Sequence, residues 1–422
     1  MTYRLAHPWL TFSALSFIFF VISAGAFSSL GVVLPEMVGE LGWNWKEAGF
    51  GYTLLGLACG LASFIPAILI RRIGVRGDMV VGTLCMVAGF GAMAIAHSVW
   101  LYLLATALIG LSFALVSTVP GTHVLNDVFK NRSTALGIYF TVGALGGVVG
   151  PVFYTNRLNI GVYDLTHNWR LFWVAFVILA IVAGLFAIAT TPKKQDESQH
   201  EALPPEQVSP GQMLEGLKDW TVRNALRTPQ YYIVVFGYTT YLLINTTAHG
   251  FAVEHLKEHG VSPKDAAAML ALEQLLGAVI SMIGGVIGEW ISAKAMMLIS
   301  LVALTIGMAA LAFADGWPLM WVYVVGVGIG FGLSFIASTI LLFEYFGKKP
   351  NLELFSIMCM ISTSAALGPA FGGWARDTLG SFSGMFLLCS AISAVVLFAT
   401  IFMRSPVRQG SSEPAPVAER VS

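Results

Sequence analysis

Long apolar runs alternate with short polar breaks along the whole chain. Runs of bilayer length fall near residues 9–34, 46–70, 77–97, 99–126, 131–153 and 169–191, and again near 229–251, 262–288, 294–314, 317–345, 351–375 and 381–404. A helix needs about 20 apolar residues to cross the hydrocarbon core. Lipid leaves no partner for exposed backbone, so such runs form helices that satisfy themselves. The pattern predicts an all-α membrane protein with twelve transmembrane helices in two six-helix, pseudo-symmetric bundles. The first run is too long for a signal-peptide core and reads as a retained helix.

Polar segments set the expected domains: a bundle over 1–191, a linker over 192–227, a second bundle over 228–404 and a disordered tail over 405–422. The linker begins KKQDESQHEALPPEQVSPG, whose mixed charge, Pro and Gly describe a flexible tether. It continues with Met213, Leu214, Leu217 and Trp220 opposite Glu215, Lys218 and Asp219, which predicts a short helix on the membrane surface.

The halves echo each other. GLSFALVST from Gly110 recurs as GLSFIAST from Gly332, and GALGGVVGP from Gly143 resembles AALGPAFGG from Ala365. Short basic turns, RRIGVR and EWISAK, follow the second and eighth runs. Parallel six-helix repeats describe proteins that rock about a site near the bilayer midplane.

Composition agrees: 56% of residues are hydrophobic and 11% charged, against roughly 25% charged in a soluble domain. Net charge is zero and hints at no nucleic-acid partner. Its distribution is more telling. Seventeen Lys and Arg fall in the termini, the linker and alternate loops on the same side, and six in the other loops. The positive-inside rule places the richer set, with both termini, in the cytoplasm. The expected location is the cell membrane, the inner membrane in a bacterium. Cys59, Cys85, Cys359 and Cys389 lie in apolar runs without metal or disulfide spacing, so they read as buried hydrophobes.

Candidate chemistry is sparse. The chain has no GxxxxGK[ST] loop, metal-ligand cluster or nucleophile elbow, so no ATP, cofactor, metal or enzymatic activity is expected. GVGIGFG from Gly326 lies in an apolar run and predicts close helix contact. Glu273 and Gln274 sit near the middle of the eighth run. A carboxylate there costs about 2.5–3.5 kcal/mol on insertion scales, which makes Glu273 the candidate proton carrier. His123 is a second titratable candidate. In the seventh run Tyr238, Tyr241, Asn245 and His249 share one helical stripe, and Asn245 to Thr247 are weak helix formers that invite local unwinding. Tyr238, Tyr241, Asn245 and Gln274 are the expected substrate contacts. Gly146, Gly150–Pro151 and Gly368–Pro369 are expected to bend spans or let them pack closely.

The whole ordered length resembles the Major Facilitator Superfamily. That family joins spans two and three through Gly-x-x-x-Asp-Arg-x-Gly-Arg-Arg/Lys. AILIRRIGVR keeps Arg72, Gly74 and Arg76, with Ala67 at the first Gly and Arg71 at the Asp. The second copy, GVIGEWISAK, keeps Gly285 and an acidic Glu289 and ends in Lys294. The resemblance implies a latch built from Arg71, Arg72, Arg76 and Glu289, and adds Tyr139 and Ser338 to the substrate cavity. ELGWNWKEAGFGYTLL, NRSTALGIYFTVGALGGVVGP, LRTPQYY and EHGVSPKDAAAMLAL resemble the monocarboxylate and oxalate/formate branch. That branch often carries an Arg in span eight, near Ser281 here, and this sequence has none. The expected activity is proton-coupled, alternating-access transport of a small organic solute, an acid or related metabolite, by a monomer. The alternative is proton-driven export of a drug-like or metabolite cation, with Glu273 as its counter-charge.

Overall fold

The computed structural model describes residues 8–129, 132–155, 159–160, 163–164, 168–191, 220–287, 291–314, 316–347 and 350–406. Almost all of these are helical; Asn159–Ile160 and Tyr163–Asp164 form a two-residue antiparallel pair. The linker before Trp220, the surface helix expected there and the tail beyond Pro406 lie outside the described residues.

The helices trace the expected order of spans. Span 1 is two helices, Pro8–Gly25 and Phe27–Leu41. Span 2 starts as Trp45–Leu61, turns at Ala62, and runs on into a helix assigned from Ile65 to Ala94. Gly74 interrupts that helix with φ 77° and ψ 168°, separating span 2 from span 3. Only glycine adopts such a conformation without strain, which explains why the basic turn keeps it. Span 4 is Val99–Val116 and Thr118–Val128, with the break at Ser117. Spans 5 and 6 are Arg132–Thr155 and Trp169–Thr190. After a short helix, Val222–Ala225, come span 7, Pro229–Glu258, and span 8, Pro263–Ile287. Spans 9 and 10 are Ala293–Phe313 and Trp317–Phe346. Span 11 is Asn351–Ser362, a 3-10 turn over Thr363–Leu367, and Gly368–Leu379; span 12 is Ser383–Phe402.

Nine stretches of the described residues are long and apolar enough to cross a membrane by themselves. Spans 2, 5 and 7 fall outside that set. Span 7, with 30 residues, has the length and lacks the apolarity. It packs against spans 1, 8, 9, 10, 11 and 12, so its polar stripe is sheltered from lipid.

Two local expectations are corrected, on span 1 and span 7. Span 1 continues past residue 34 to Leu41, although Pro35 lies inside it. Its late carboxylates find donors: the Tyr154 hydroxyl binds Glu36, and Trp169 Nε1 donates to Glu40 at 2.6 Å. Span 7 does not unwind at Asn245. Thr246 donates its hydroxyl to Leu242 O at 2.9 Å, and the surrounding helices override weak propensity. Of the two Gly-Pro pairs, Gly150–Pro151 leaves span 5 continuous, whereas Gly368–Pro369 follows the 3-10 turn of span 11.

The repeated motifs do the same work in each half. A side chain at Gly110 would collide with Leu55 O of span 2, and one at Gly332 with Gly277 O of span 8. Ser112 donates to Gly82 O at 3.0 Å, tying span 4 to span 3; Ser334 and Ser300 bond at 2.6 Å, tying span 10 to span 9. Gly150 backs onto Ala24 of span 1, and Gly368 onto Thr247 of span 7. Lipid supplies no hydrophobic drive between helices, so small residues that admit backbone contact hold each half together.

The halves meet most closely at the end away from the linker, here called the far end. Side chains at Gly31, Gly49 and Gly373 would strike His249 O, Pro369 O and Trp45 O respectively, each across the halves. Asp377, at the end of span 11, accepts from Trp45 N at 3.1 Å and Lys46 N at 2.7 Å, the first free amides of span 2. A carboxylate there also meets the positive end of the helix dipole. Arg376 reinforces the corner through Nε to Glu258 Oε1 at 2.8 Å. Among the described residues, the cross-half glycine contacts toward the linker end stop at Gly60, which faces Thr363.

Removing the Asp377 carboxylate should therefore open the far end. Losing a helix-capping group costs about 1 kcal/mol, a roughly fivefold shift between closed and open arrangements. In Asp377→Ala, spin labels on the far ends of spans 2 and 11 should show a longer distance population than in the parent. An unchanged distribution would mean the glycine contacts alone keep this end shut.

Candidate functional site

The polar centre lies where spans 7 and 8 face the first half. Glu273 is completely buried on span 8. His249, on the stripe of span 7, is 3% exposed and places Nε2 3.2 Å from Glu273 Oε2. Gln274, 6% exposed, reaches the same ring nitrogen with its side-chain amide and lies 3.3 Å from Glu273 Oε2. One ring nitrogen therefore faces two competing partners. It can donate its hydrogen to the carboxylate or accept one from the amide, and it cannot do both. His249 Nδ1 has no hydrogen-bond partner among the described residues.

The cluster touches the other half directly. A Cβ added to Gly147 of span 5 would lie 3.3 Å from Ser28 Oγ of span 1 and 3.4 Å from Gln274 Oε1. Gly31 of span 1 rests on the carbonyl of His249 itself. Span 10 closes the other side: Gly328 approaches Glu273 O, and the buried Tyr323 hydroxyl has no partner among the described residues.

An aromatic wall extends from the cluster toward the linker end. Tyr241 stacks on Phe331 with centroids 5.8 Å apart and planes 12° apart. Tyr238 lies 6.0 Å from Tyr241 and 5.9 Å from Phe335. Asn245 is half-buried between them and the cluster, and its amide has no hydrogen-bond partner among the described residues. Aromatic faces beside a few unengaged polar groups suit a small, partly polar ligand. Among the described residues no group of His, Cys, Asp and Glu could hold a metal ion.

The Major Facilitator Superfamily model matches residues 16–350 and 234–421. The chain belongs to the Major Facilitator Superfamily. Among similar proteins, the hexuronate transporter of Bacillus subtilis is 20% identical over 401 residues, covering 90% of this chain and 91% of its own length. The uncharacterized MFS-type transporter YhjX of Escherichia coli is 25% identical over 319 residues, covering 72% of each chain. A crystal structure of a point mutant of the nucleoside transporter NupG has a TM-score of 0.73 at 14% identity, covering 94% of this chain and 99% of its own. That likeness fixes the fold. This superfamily member is thus a multi-pass membrane transporter of small solutes. The comparisons leave the monocarboxylate and oxalate/formate branch unconfirmed.

The structure gathers only some of the residues singled out in the sequence. Glu273, Gln274, Tyr238, Tyr241 and Asn245 come together, with His249 as the partner that completes the site. Tyr139 is buried within the first half and donates its hydroxyl to Ser117 O at 2.8 Å. Ser338 is buried and donates to Ser334 O at 2.7 Å. His123 is exposed on the second helix of span 4. In the basic turn, Arg71 and Arg72 are exposed and Arg76 is half-buried; Glu289 lies outside the described residues. Lys294 holds span 12, donating to Ile401 O at 3.0 Å and Met403 O at 2.7 Å, a favourable place for a cation at a helix C-terminus.

Two carboxylates were not foreseen. Asp78 is fully buried at the start of span 3, with neither oxygen hydrogen-bonded among the described residues. Its position two residues after Arg76 gave no sign of that burial. Asp377 gave no signal because its partners are backbone amides more than 300 positions away.

If His249 and Glu273 act as one unit, their substitutions will not add. His249→Ala strands a buried carboxylate and should cost about 3–5 kcal/mol. His249→Ala combined with Glu273→Gln should recover part of that loss, as thermal unfolding of the purified proteins would show. Additive losses would make the contact incidental.

Proposed function

We propose that this chain is a proton-coupled transporter of a small organic solute, working by alternating access with the His249–Glu273 pair as its proton-carrying element. The observation that carries the reading is a buried carboxylate sharing one imidazole nitrogen with a competing amide, at the junction of the halves. With Glu273 ionised, the ring N–H donates to it. With a proton on Glu273, the ring in its Nδ1–H tautomer presents Nε2 to accept from Gln274. Protonation thus exchanges one hydrogen bond for another beside Gly147 and Gly31, where the halves slide past each other.

Tyr238, Tyr241, Asn245 and Gln274 form the substrate wall. Tyr139 and Ser338 commit their hydroxyls to the carbonyls of Ser117 and Ser334, so they offer the solute no free polar group. The Lys and Arg of spans 8 and 11, Lys264 and Arg376, lie in end turns and not beside the central cluster, so no cation there clamps a permanent anion and the solute enters neutral or as an acid accompanied by its proton. The hexuronate relative makes sugar acids the first class to test.

The charge distribution puts the linker end in the cytoplasm. The arrangement described is then inward-facing: the far end is shut, and the cross-half glycine contacts stop short of the linker end. Exposure of Arg71 and Arg72 fits a latch that assembles with Arg76 and Glu289 in the opposite state. His123, exposed near the cytoplasmic mouth, is placed to pass protons to water. The protein functions as a monomer in the cell membrane.

Proteoliposomes holding the purified protein provide the test, with hexuronates, other organic acids and nucleosides as candidate solutes. At one proton per solute, each pH unit of gradient supplies about 1.4 kcal/mol, or about tenfold accumulation. Glu273→Gln should lose gradient-driven accumulation while keeping solute exchange at equal pH. Full gradient-driven uptake with unchanged pH dependence in Glu273→Gln would sink the coupling role. Loading of a cation into everted vesicles, driven by an acidic interior, would instead identify an exporter.

A further inference from the structure

We infer that, on the reading of the solute as an organic acid, its carboxylate is received by the start of the second helix of span 1. Ser28 supplies a hydroxyl there, Gly147 keeps the approach open, and Gln274 lies opposite. An acid is thereby held at the centre of the protein without a Lys or Arg.

Span 1 is broken beside the polar cluster. Ala26, with φ −78° and ψ −103°, separates its two helices, and Phe27–Leu41 starts without a side-chain cap. The first bond of this new helix runs from Leu30 N to Ala26 O at 3.2 Å. The amides of Phe27, Ser28 and Ser29 precede it, and the first turn of a helix leaves such amides without partners inside the helix. The aligned peptides of a helix place roughly half a positive charge at this end. Side chains brace the break. Tyr52 donates its hydroxyl to Phe27 O at 2.7 Å, and Ser29 turns its own back to Ala24 O.

A second observation points to a ligand. Ser28 is only 3% exposed, and its hydroxyl has no hydrogen-bond partner among the described residues. Such a group is costly to bury unless something bonds it. It faces Gly147 of span 5 and Gln274 of span 8: a Cβ on Gly147 would lie 3.3 Å from Ser28 Oγ and 3.4 Å from Gln274 Oε1. The glycine therefore puts no side chain between them. Gly31, one turn along the same helix, rests on His249 O, so this helix start adjoins the His249–Glu273 pair.

The chemistry suits a carboxylate. Its oxygens accept from the Ser28 hydroxyl and from the free amides, as anions do at helix starts. Gln274 turns Oε1 toward this space, and half a turn of its amide presents Nε2 as a further donor. Glu273 stands next along span 8, with Gln274 Nε2 3.3 Å from its Oε2. Neighbouring carboxylates repel unless one carries a proton. An acid at the helix start and a proton on Glu273 therefore enter together.

Thermal stabilisation of the purified full-length protein, titrated at one fixed pH, tests this with glucuronate, galacturonate, gluconate and lactate, each beside its uncharged amide. Stabilisation reports affinity by mass action. At least one acid should bind severalfold tighter than its amide. That preference should shrink toward parity in Ser28→Ala. It should shrink further in Ser28→Pro, which also removes an amide from the first turn, where a helix tolerates proline. Should Ser28→Pro fail to fold, Ser28→Ala decides. Gly147→Ala should weaken acid and amide alike, because it takes away room and not charge. Binding of none of the four acids would overturn the proposal, as would equal affinity for acids and amides in the parent. An acid preference unchanged in Ser28→Ala would place the carboxylate elsewhere and refute it. No proton gradient is read here. Failure of proton coupling in the Glu273→Gln vesicles would leave the helix-start site standing, and failure of this site would leave the coupling role to its own test.

Discussion

Backbone-to-backbone approach between helices is the constraint on which the rest of this structure depends. In lipid, apolar side chains gain nothing by leaving acyl chains for one another. Helices adhere where small residues let main chains touch. Gly110 on Leu55, Gly332 on Gly277, and Gly150 on Ala24 build the halves in this way. Gly31, Gly49 and Gly373 then bring the halves together at one end. A contact of this kind has no long side chain to unthread, so it can part and re-form as a rigid surface. The polar cluster is set into this frame where three of the close approaches converge.

The cluster shows how a membrane protein keeps an ionisable group. Glu273 is buried among helices, with His249 and Gln274 around it. Span 7 gives up apolarity to supply the imidazole, and its surrounding helices make that tolerable. The same stripe continues as Tyr241, Asn245 and Tyr238 along the space between the halves. The proposed proton site and solute wall meet on successive turns of span 7, which would give coupling between them a short physical route.

Much of this was legible in the chain. Hydropathy located every span because backbone satisfaction forces helices, and the GLSF and glycine repeats marked equivalent packing contacts in each half. The carboxylate at Glu273 announced itself by its cost. Its partnership with His249 was less visible, since the stripe of span 7 gave a face but no neighbour. Breaks at Ser117 and Ala26 were hidden because kinks arise from packing between helices that sequence order does not relate. Asp377 and Asp78 gave no signal for the same reason. Short polar residues near span ends look alike, whether they meet water, an amide of another helix or nothing at all.

One consequence concerns the first turn of span 2. Its free amides are served twice: Glu47 N by Asn44 Oδ1 at 2.8 Å, from within the same loop, and Trp45 N and Lys46 N by Asp377 from the opposite half. When the halves part, the second service ends and the first remains. The helix keeps its start, and the two amides exposed by separation turn to water at a modest cost. Such a joint behaves as a fastener that can be undone without fraying either strap, which is what a machine cycling many times on one pair of surfaces requires.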